Sequence, residues 1–243
     1  MWMYKVLLLL SVGKVIAYED DEEPILYYYG LEESERTLPP CSARQACSAF
    51  IARDWQPPAL VRLCACARRL RCDTPAHVHD NTSIVPINNR DYLQFCQPIT
   101  DWPICSYDAT PLTVLTSYKR IIPSELEDMH HKNIQLTPPK ITFECRCREP
   151  NYWKLDTTSN KDGEQKYRCG SLPYCATNEF CGNVNYDLNT LYQSCLCPRN
   201  HMCVHNGGVT YMSINEVLYQ GKGWRAYCQK KMDYNDDDYY YSY

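Results

Sequence analysis

Cys64-Ala65-Cys66-Ala67-Arg68-Arg69-Leu70-Arg71-Cys72 reads C-x-C-x5-C, and Cys195-Leu196-Cys197-Pro198-Arg199-Asn200-His201-Met202-Cys203 repeats that spacing far downstream. The first copy sits in a frame of Cys41, Cys47, Cys64, Cys66, Cys72 and Cys96, spaced C-x5-C-x16-C-x-C-x5-C-x23-C. The second sits in Cys175, Cys181, Cys195, Cys197, Cys203 and Cys228, spaced C-x5-C-x13-C-x-C-x5-C-x24-C. Between them, Cys105, Cys145, Cys147 and Cys169 build a shorter version around the same C-x-C. A cysteine order that recurs along a chain marks a repeated structural unit. Three modules follow, 41–96, 105–169 and 175–228, with an acidic Tyr-rich segment at 18–40 and an acidic Tyr-rich tail at 229–243.

The chain opens in the manner of a secretory signal. Lys5 supplies a positive start, Val6 to Val12 form a short apolar run, and Val15-Ile16-Ala17 ends at the usual cleavage spacing. Residues 1–17 are expected to be removed and the mature protein to be secreted and extracellular. That apolar run is too short to span a bilayer, and no later segment is long enough. All 16 cysteines lie beyond residue 17, even in total and in each module. In an oxidising compartment this predicts eight disulfides and no free thiol.

The middle module carries information about pairing. It lacks one of the two leading cysteines and the cysteine five residues beyond C-x-C. Bridges are gained and lost as pairs, because a lone thiol in a secreted protein is a liability. The missing two are therefore partners elsewhere, which predicts Cys47–Cys72 and Cys181–Cys203, with Cys41 and Cys175 as alternatives to Cys47 and Cys181. The other four cysteines of each module stay open between two pairings.

Scattered prolines argue against long helices. Short strand-like pieces are visible at Leu112 to Leu115, Ile134 to Leu136, Ile141 to Phe143 and Val209 to Ser213. Modules this small bury little apolar surface, and each native bridge contributes about 2–5 kcal/mol, comparable to the whole stability of a small domain. The fold class expected is a small disulfide-rich, mainly β protein of three tandem β-finger modules around C-x-C cores. Cysteines two apart on a strand point to opposite faces, so C-x-C would anchor each hairpin at its base. Short connections suggest a rigid curved array.

Charge is unevenly placed. Residues 18–35 carry eight acids and no base, and residues 233–243 carry four acids and no base. The core between them holds 23 bases against 17 acids, a balance of +6. The acidic ends are expected to be solvated and disordered, with Tyr27-Tyr28-Tyr29 and Tyr239-Tyr240-Tyr241 as candidate sulfation sites. A basic core favours an acidic face on any partner.

No catalytic constellation is present: neither G-x-S-x-G nor H-E-x-x-H occurs. No enzyme activity and no cofactor are expected, and no nucleic-acid partner. His130-His131 read as part of a polar loop. Zinc would need ligands such as His77, His79 or His201 beside cysteine, yet no C-x2-C pair occurs and secretion favours disulfides; no metal is expected. Asn81-Thr82-Ser83 is the glycosylation sequon, with Asn81 its acceptor. Aromatics adjoin bases at Arg146, Arg148, Tyr152 and Trp153. A packed strand end is the plainer reading of that cluster; a binding hot spot is the sharper one, since Trp, Tyr and Arg dominate such spots. Arg62, Arg68, Arg69 and Arg71 form a second basic cluster, either a solvated face or a contact for an acidic partner.

Several words extend the cysteine order: Ile25-Leu26-Tyr27-Tyr28-Tyr29-Gly30, Leu38-Pro39-Pro40-Cys41, Phe95-Cys96-Gln97-Pro98-Ile99, Pro103-Ile104-Cys105, Cys145-Arg146-Cys147-Arg148 and the stretch from Cys195 to Cys203. Together they resemble the Argos (giant-lens) family of secreted antagonists of epidermal-growth-factor-receptor signalling, over nearly the whole mature chain. The resemblance implies three β-finger domains closing around an epidermal-growth-factor-like (EGF-like) ligand and hiding it from its receptor, a non-enzymatic inhibition. This chain departs in its first module, where a long low-complexity insertion of that family is replaced by a short stretch containing Cys72. The eleventh scoloptoxin family of centipede venoms is similarly cysteine-rich and exported. It implies the alternative of a secreted toxin acting on an ion channel.

Overall fold

The computed structural model describes residues 23–29, 34–72, 81–106, 109–116, 122–132, 134, 136–159, 163–207 and 212–231. The expected signal segment, His77, His79, Val209 to Tyr211 and Tyr239-Tyr240-Tyr241 lie outside them.

Each cysteine module builds one sheet. In the first, β1 (Ile25–Tyr28), β2 (Ala46–Ile51), β3 (Ala59–Arg62), β4 (Ile84–Pro86) and β5 (Tyr92–Phe95) lie in the order β1-β3-β2-β5-β4. β1 runs parallel to β3, with Ile25 opposite Ala59 and Tyr28 opposite Arg62, and the other pairs are antiparallel. The N-terminal segment is therefore not disordered throughout. From Ile25 its composition turns to strand formers, and these cover the edge that β3 would otherwise expose. Tyr29 is buried in the core, and Tyr27 and Tyr28 are half-buried against it, which argues against sulfation there. Further along, Glu35 reaches the buried Arg62 at 3.5 Å, and Arg62 also donates to the Cys72 carbonyl at 2.7 Å. Arg62 thus leaves the expected basic surface cluster.

In the second module, β6 (Leu112–Leu115), α1 (Pro123–His131), β7 (Lys140–Phe143), β8 (Asn151–Ser159) and β9 (Glu164–Ser171) supply an antiparallel sheet in the order β7-β6-β9-β8. Ile134 and Leu136, expected in a strand, lie outside any strand. His130-His131 close α1 rather than lying in a loop. Proline at the first helical position loses no helical hydrogen bond, Glu125 sits in the favourable first turn, and Leu126 buries the inner face.

In the third module, β10 (Phe180–Asn185), β11 (Leu191–Gln193), β12 (His201–Val204), β13 (Met212–Glu216) and β14 (Tyr219–Lys230) form the order β11-β10-β14-β12, with β13 folded back on β14.

The repeated unit is more than cysteines. Pro40 pairs with Ala65, Ile104 with Arg146 and Tyr174 with Leu196, each in an isolated parallel bridge at the middle residue of C-x-C. In each module that residue's N–H donates to a proline carbonyl, Pro39 at 2.9 Å, Pro103 at 2.8 Å and Pro173 at 2.7 Å. The unit is thus Pro-x-Cys laid beside C-x-C. The C-x-C lies beyond the end of β3, β7 and β11, not within a sheet strand as expected, and a single bridge holds it.

Eight disulfides form and no cysteine is free. The leading cysteine bonds the first of C-x-C in each module: Cys41–Cys64, Cys105–Cys145 and Cys175–Cys195. The trailing cysteine bonds the second: Cys66–Cys96, Cys147–Cys169 and Cys197–Cys228. Cys47–Cys72 and Cys181–Cys203 are the extra bridges of the outer modules, the pairs expected from their shared absence in the middle one. Replacing Cys47 and Cys72 together by Ser should leave a folded chain weakened by about 2–5 kcal/mol. Either single replacement should do worse, because the surviving thiolate attacks neighbouring bridges. Denaturant unfolding with peptide mapping of the bridges checks this; a double variant more scrambled than both singles contradicts it.

Hydrophobic packing crosses the module boundaries. One core joins Ala49, Leu63 and Phe95 of the first module, Leu112, Ile141 and Tyr167 of the second, and Val217 and Leu218 of the third. Every pair of modules is also hydrogen-bonded. Gln45 bridges Thr142, the Asn89 N–H donates to the Leu191 carbonyl at 3.2 Å, and Gln165 Nε2 donates to Asn215 Oδ1 at 2.9 Å. A linear curved array would hold the outer modules apart. Here they touch, because apolar residues too few to cover one module are pooled among three.

Candidate functional site

Where the three modules meet they leave a cleft of about 1040 Å³. The first module contributes the strand and turn from Ile84 to Asn89, the second the start of β8, and the third the facing parts of β10 and β11 with the end of β13.

Aromatic side chains define its walls. Trp153 is fixed from two sides: its indole N–H donates to the Pro86 carbonyl at 3.0 Å, and its ring meets Phe143 edge-on at 5.6 Å. Tyr152 lies flat over Gly170 of the paired β9, where any side chain would collide with the ring. Tyr174 and Phe180 are 83% and 38% exposed, large apolar surfaces at the third module's side of the cleft. The braced amphipathic rings of Trp153 and Tyr152 lose little entropy when they bind.

The cleft also has a polar floor in Asn183, Tyr192 and Glu216, with Asp91 and Tyr167 near enough to interact with it electrostatically. Asp91 accepts from the Ala52 N–H at 2.8 Å and from Asn88 Nδ2 at 2.7 Å. Burial nevertheless pushes its carboxyl up to about 6, against the lowering effect of Asn88, Ala52 and Arg90. Glu216 accepts from Asn183 Nδ2 at 2.8 Å, and burial pushes it up to about 7. Tyr192 donates to the Val217 carbonyl at 3.3 Å, and Tyr167 to Gln165 Oε1 at 3.2 Å. Burial raises both phenols, and the Glu216 charge adds to each.

Raised carboxyls have a consequence for stability. Glu216 titrates near 4.5 when unfolded and near 7 when folded, so the folded chain binds the extra proton between those values. Stability from this group is complete below about pH 4.5 and is lost as pH rises through 7. Glu216→Gln keeps the acceptor for Asn183 and removes the titration. Its stability profile should flatten over this window by about 1–3 kcal/mol relative to the native chain. Denaturant midpoints measured from pH 4.5 to 8 check this; parallel profiles for the two proteins refute it.

Of the residues singled out from sequence, Arg146, Tyr152 and Trp153 line the cleft. Arg148 is exposed but outside it, and Arg68, Arg69 and Arg71 are exposed on the segment after the first C-x-C. Asn81 begins a single helical turn, Asn81–Ser83, and its neighbour Thr82 is a cleft residue. His201 has its ring nitrogens engaged, Nε2 with Thr177 Oγ1 at 3.2 Å and Nδ1 with the Arg199 carbonyl at 3.0 Å. Among the described residues, the clusters of potential metal ligands consist of disulfide-bonded cysteines, which have no thiolate to offer. The surplus of basic charge does not face the cleft. Arg146 and Lys154 are its bases among the described residues, against Glu149, Glu179 and Glu216. Asn183, Tyr192, Tyr174, Phe180 and Glu216 were not legible as site residues, because none stands in a motif and the fold alone brings them together.

No family model matches the chain, and no curated protein matches it. Among solved structures, unliganded Argos matches with a TM-score of 0.51 and 18% sequence identity, over 86% of this chain and 99% of that one. The chain therefore has an Argos-like fold.

Proposed function

We propose that the chain is a secreted, non-enzymatic binding protein that sequesters an EGF-like growth factor in the cleft between its modules and so inhibits signalling through the EGF receptor. The observation that carries this reading is a single cleft walled by all three modules of an Argos-like fold. One module is too small to offer the ~800 Å² per partner of a standard stable interface. Three modules converging on one cleft can. The cleft aromatics Tyr152, Trp153, Tyr174 and Phe180 are suited to serve as its anchors. Full pairing of the cysteines favours an extracellular setting.

Titration calorimetry against a panel of recombinant EGF-like domains tests the reading. The intact chain should bind at least one of them one to one and block receptor activation without binding the receptor. Tyr174→Ala and Phe180→Ala, both at exposed rings, should leave folding unchanged and weaken binding at least tenfold, on the order of a hot-spot loss. A chain that ignores every such domain and instead alters a potassium or calcium current would replace sequestration with the toxin reading.

A further inference from the structure

We propose that Glu216 and Asn183, touching on the floor of the three-module cleft, form the seat for an arginine side chain of the protein ligand. The inference rests on the cleft being the ligand site, and it names the chemistry that one contact must have.

The argument is one of unmatched acceptors. Asn183 gives its amide N–H to one oxygen of Glu216, at 2.8 Å, which fixes the amide's orientation. Its own Oδ1 is buried and has no hydrogen-bond partner among the described residues. The Glu216 carboxylate has no ion pair and no second hydrogen bond among the described residues. Both side chains line the cleft. Two acceptors on touching side chains, one of them ionisable, therefore lack donors. Buried polar groups are nearly always paired, so such a set points to a missing partner. A guanidinium offers five N–H donors in one plane and no acceptor, and it carries the positive charge that balances an ionised Glu216.

Among the described residues, none around the seat supplies that charge from within. Tyr167 on β9 and Tyr192 on β11 face Glu216, and burial keeps both phenols protonated and neutral. Asp91 reaches Tyr192 from the first module and adds negative charge. Arg146, Lys154, Glu149 and Glu179 stand elsewhere along the cleft walls, and neither of the bases pairs with Glu216.

Binding of a cation requires the ionised carboxylate, and with a carboxyl near 7 its ionised fraction falls steeply below neutrality. Affinity for an arginine side chain should thus drop by about thirtyfold from pH 8 to pH 5.5.

The probe is N-acetyl-arginine methylamide, with N-acetyl-citrulline methylamide as its uncharged isostere. The Glu216 carboxyl carbon of the full chain is followed by NMR. The arginine probe should lower the pH at which that carbon titrates and bind about thirtyfold more tightly at pH 8 than at pH 5.5, whereas citrulline should do neither. Glu216→Gln should lose both the binding and its pH dependence. Equal responses to arginine and citrulline in the native chain overturn the seat, however the variant folds. A second arm uses an EGF-like domain and separates the two readings. If it binds the native chain and Glu216→Gln alike at both pH values, the seat fails and sequestration stands. If the chain takes the arginine probe but no EGF-like domain, the seat stands and sequestration fails.

Discussion

Phe143→Ala should lower the unfolding free energy by about 3–5 kcal/mol and separate the first two modules. Phe143 ends β7 and is 4% exposed. Its ring meets Phe95 at 5.2 Å and Trp102 at 5.8 Å, both from the first module's side, and Trp153 at 5.6 Å. Its backbone N–H donates to the Arg44 carbonyl at 3.1 Å across the same boundary. Truncation leaves a cavity that the three remaining rings and two sheets must fill, and edge-on aromatic pairs contribute about 0.5–1.5 kcal/mol each beyond their buried area. Trp153, braced by Phe143, would lose its position in the cleft wall, so ligand binding should weaken with stability. Leu115→Ala is the control, because Leu115 on the neighbouring β6 is 45% exposed and should change little. Denaturant unfolding of both variants decides the matter. A loss at Phe143 no larger than at Leu115 would mean that this aromatic cluster adds nothing to the joint between the two modules.

How much of this was legible depends on the distance over which each signal acts. The cysteine order is a local, repeated signal, and it yielded the modules, the β class and the co-absent bridges. Pro39, Pro103 and Pro173 stand two residues before each leading cysteine. That spacing was available in the sequence, but its role appears only when each carbonyl is seen to accept from the middle of C-x-C. The floor of the cleft had no such local mark. Asn183 meets Glu216 across 33 residues and Gln165 meets Asn215 across 50. No periodicity reports contacts of that kind, because they follow from how three sheets pack. Net charge carries little information about the cleft for a related reason: it averages over a surface, whereas the cleft samples five charged side chains from that surface, with acids in the majority.

The N-terminal segment offers the sharpest contrast between composition and structure. A chain beginning at Ser34 should be less stable than one beginning at Tyr18 by about 3 kcal/mol, or about 6–12 °C in Tm for a protein of this size. The shorter chain loses β1, whose Ile25 N–H donates to the Pro58 carbonyl at 2.8 Å, and it loses the buried Tyr29. Tyr27 goes as well, and with it the ring beneath the Arg53 guanidinium, whose Nη1 donates to the Tyr27 hydroxyl at 3.1 Å. Freed of β1, the apolar edge of β3 becomes a template for another chain, so the truncated protein should also aggregate more readily. Charge and strand can be separated by a second variant, with Glu19, Asp20, Asp21, Glu22 and Glu23 replaced by their amides. If packing of β1 is what matters, that variant keeps the full melting temperature and only the truncation lowers it. Equal melting temperatures for the two chain starts would instead show that pairing of β1 with β3 adds nothing to stability, and that the acidic composition was the better guide.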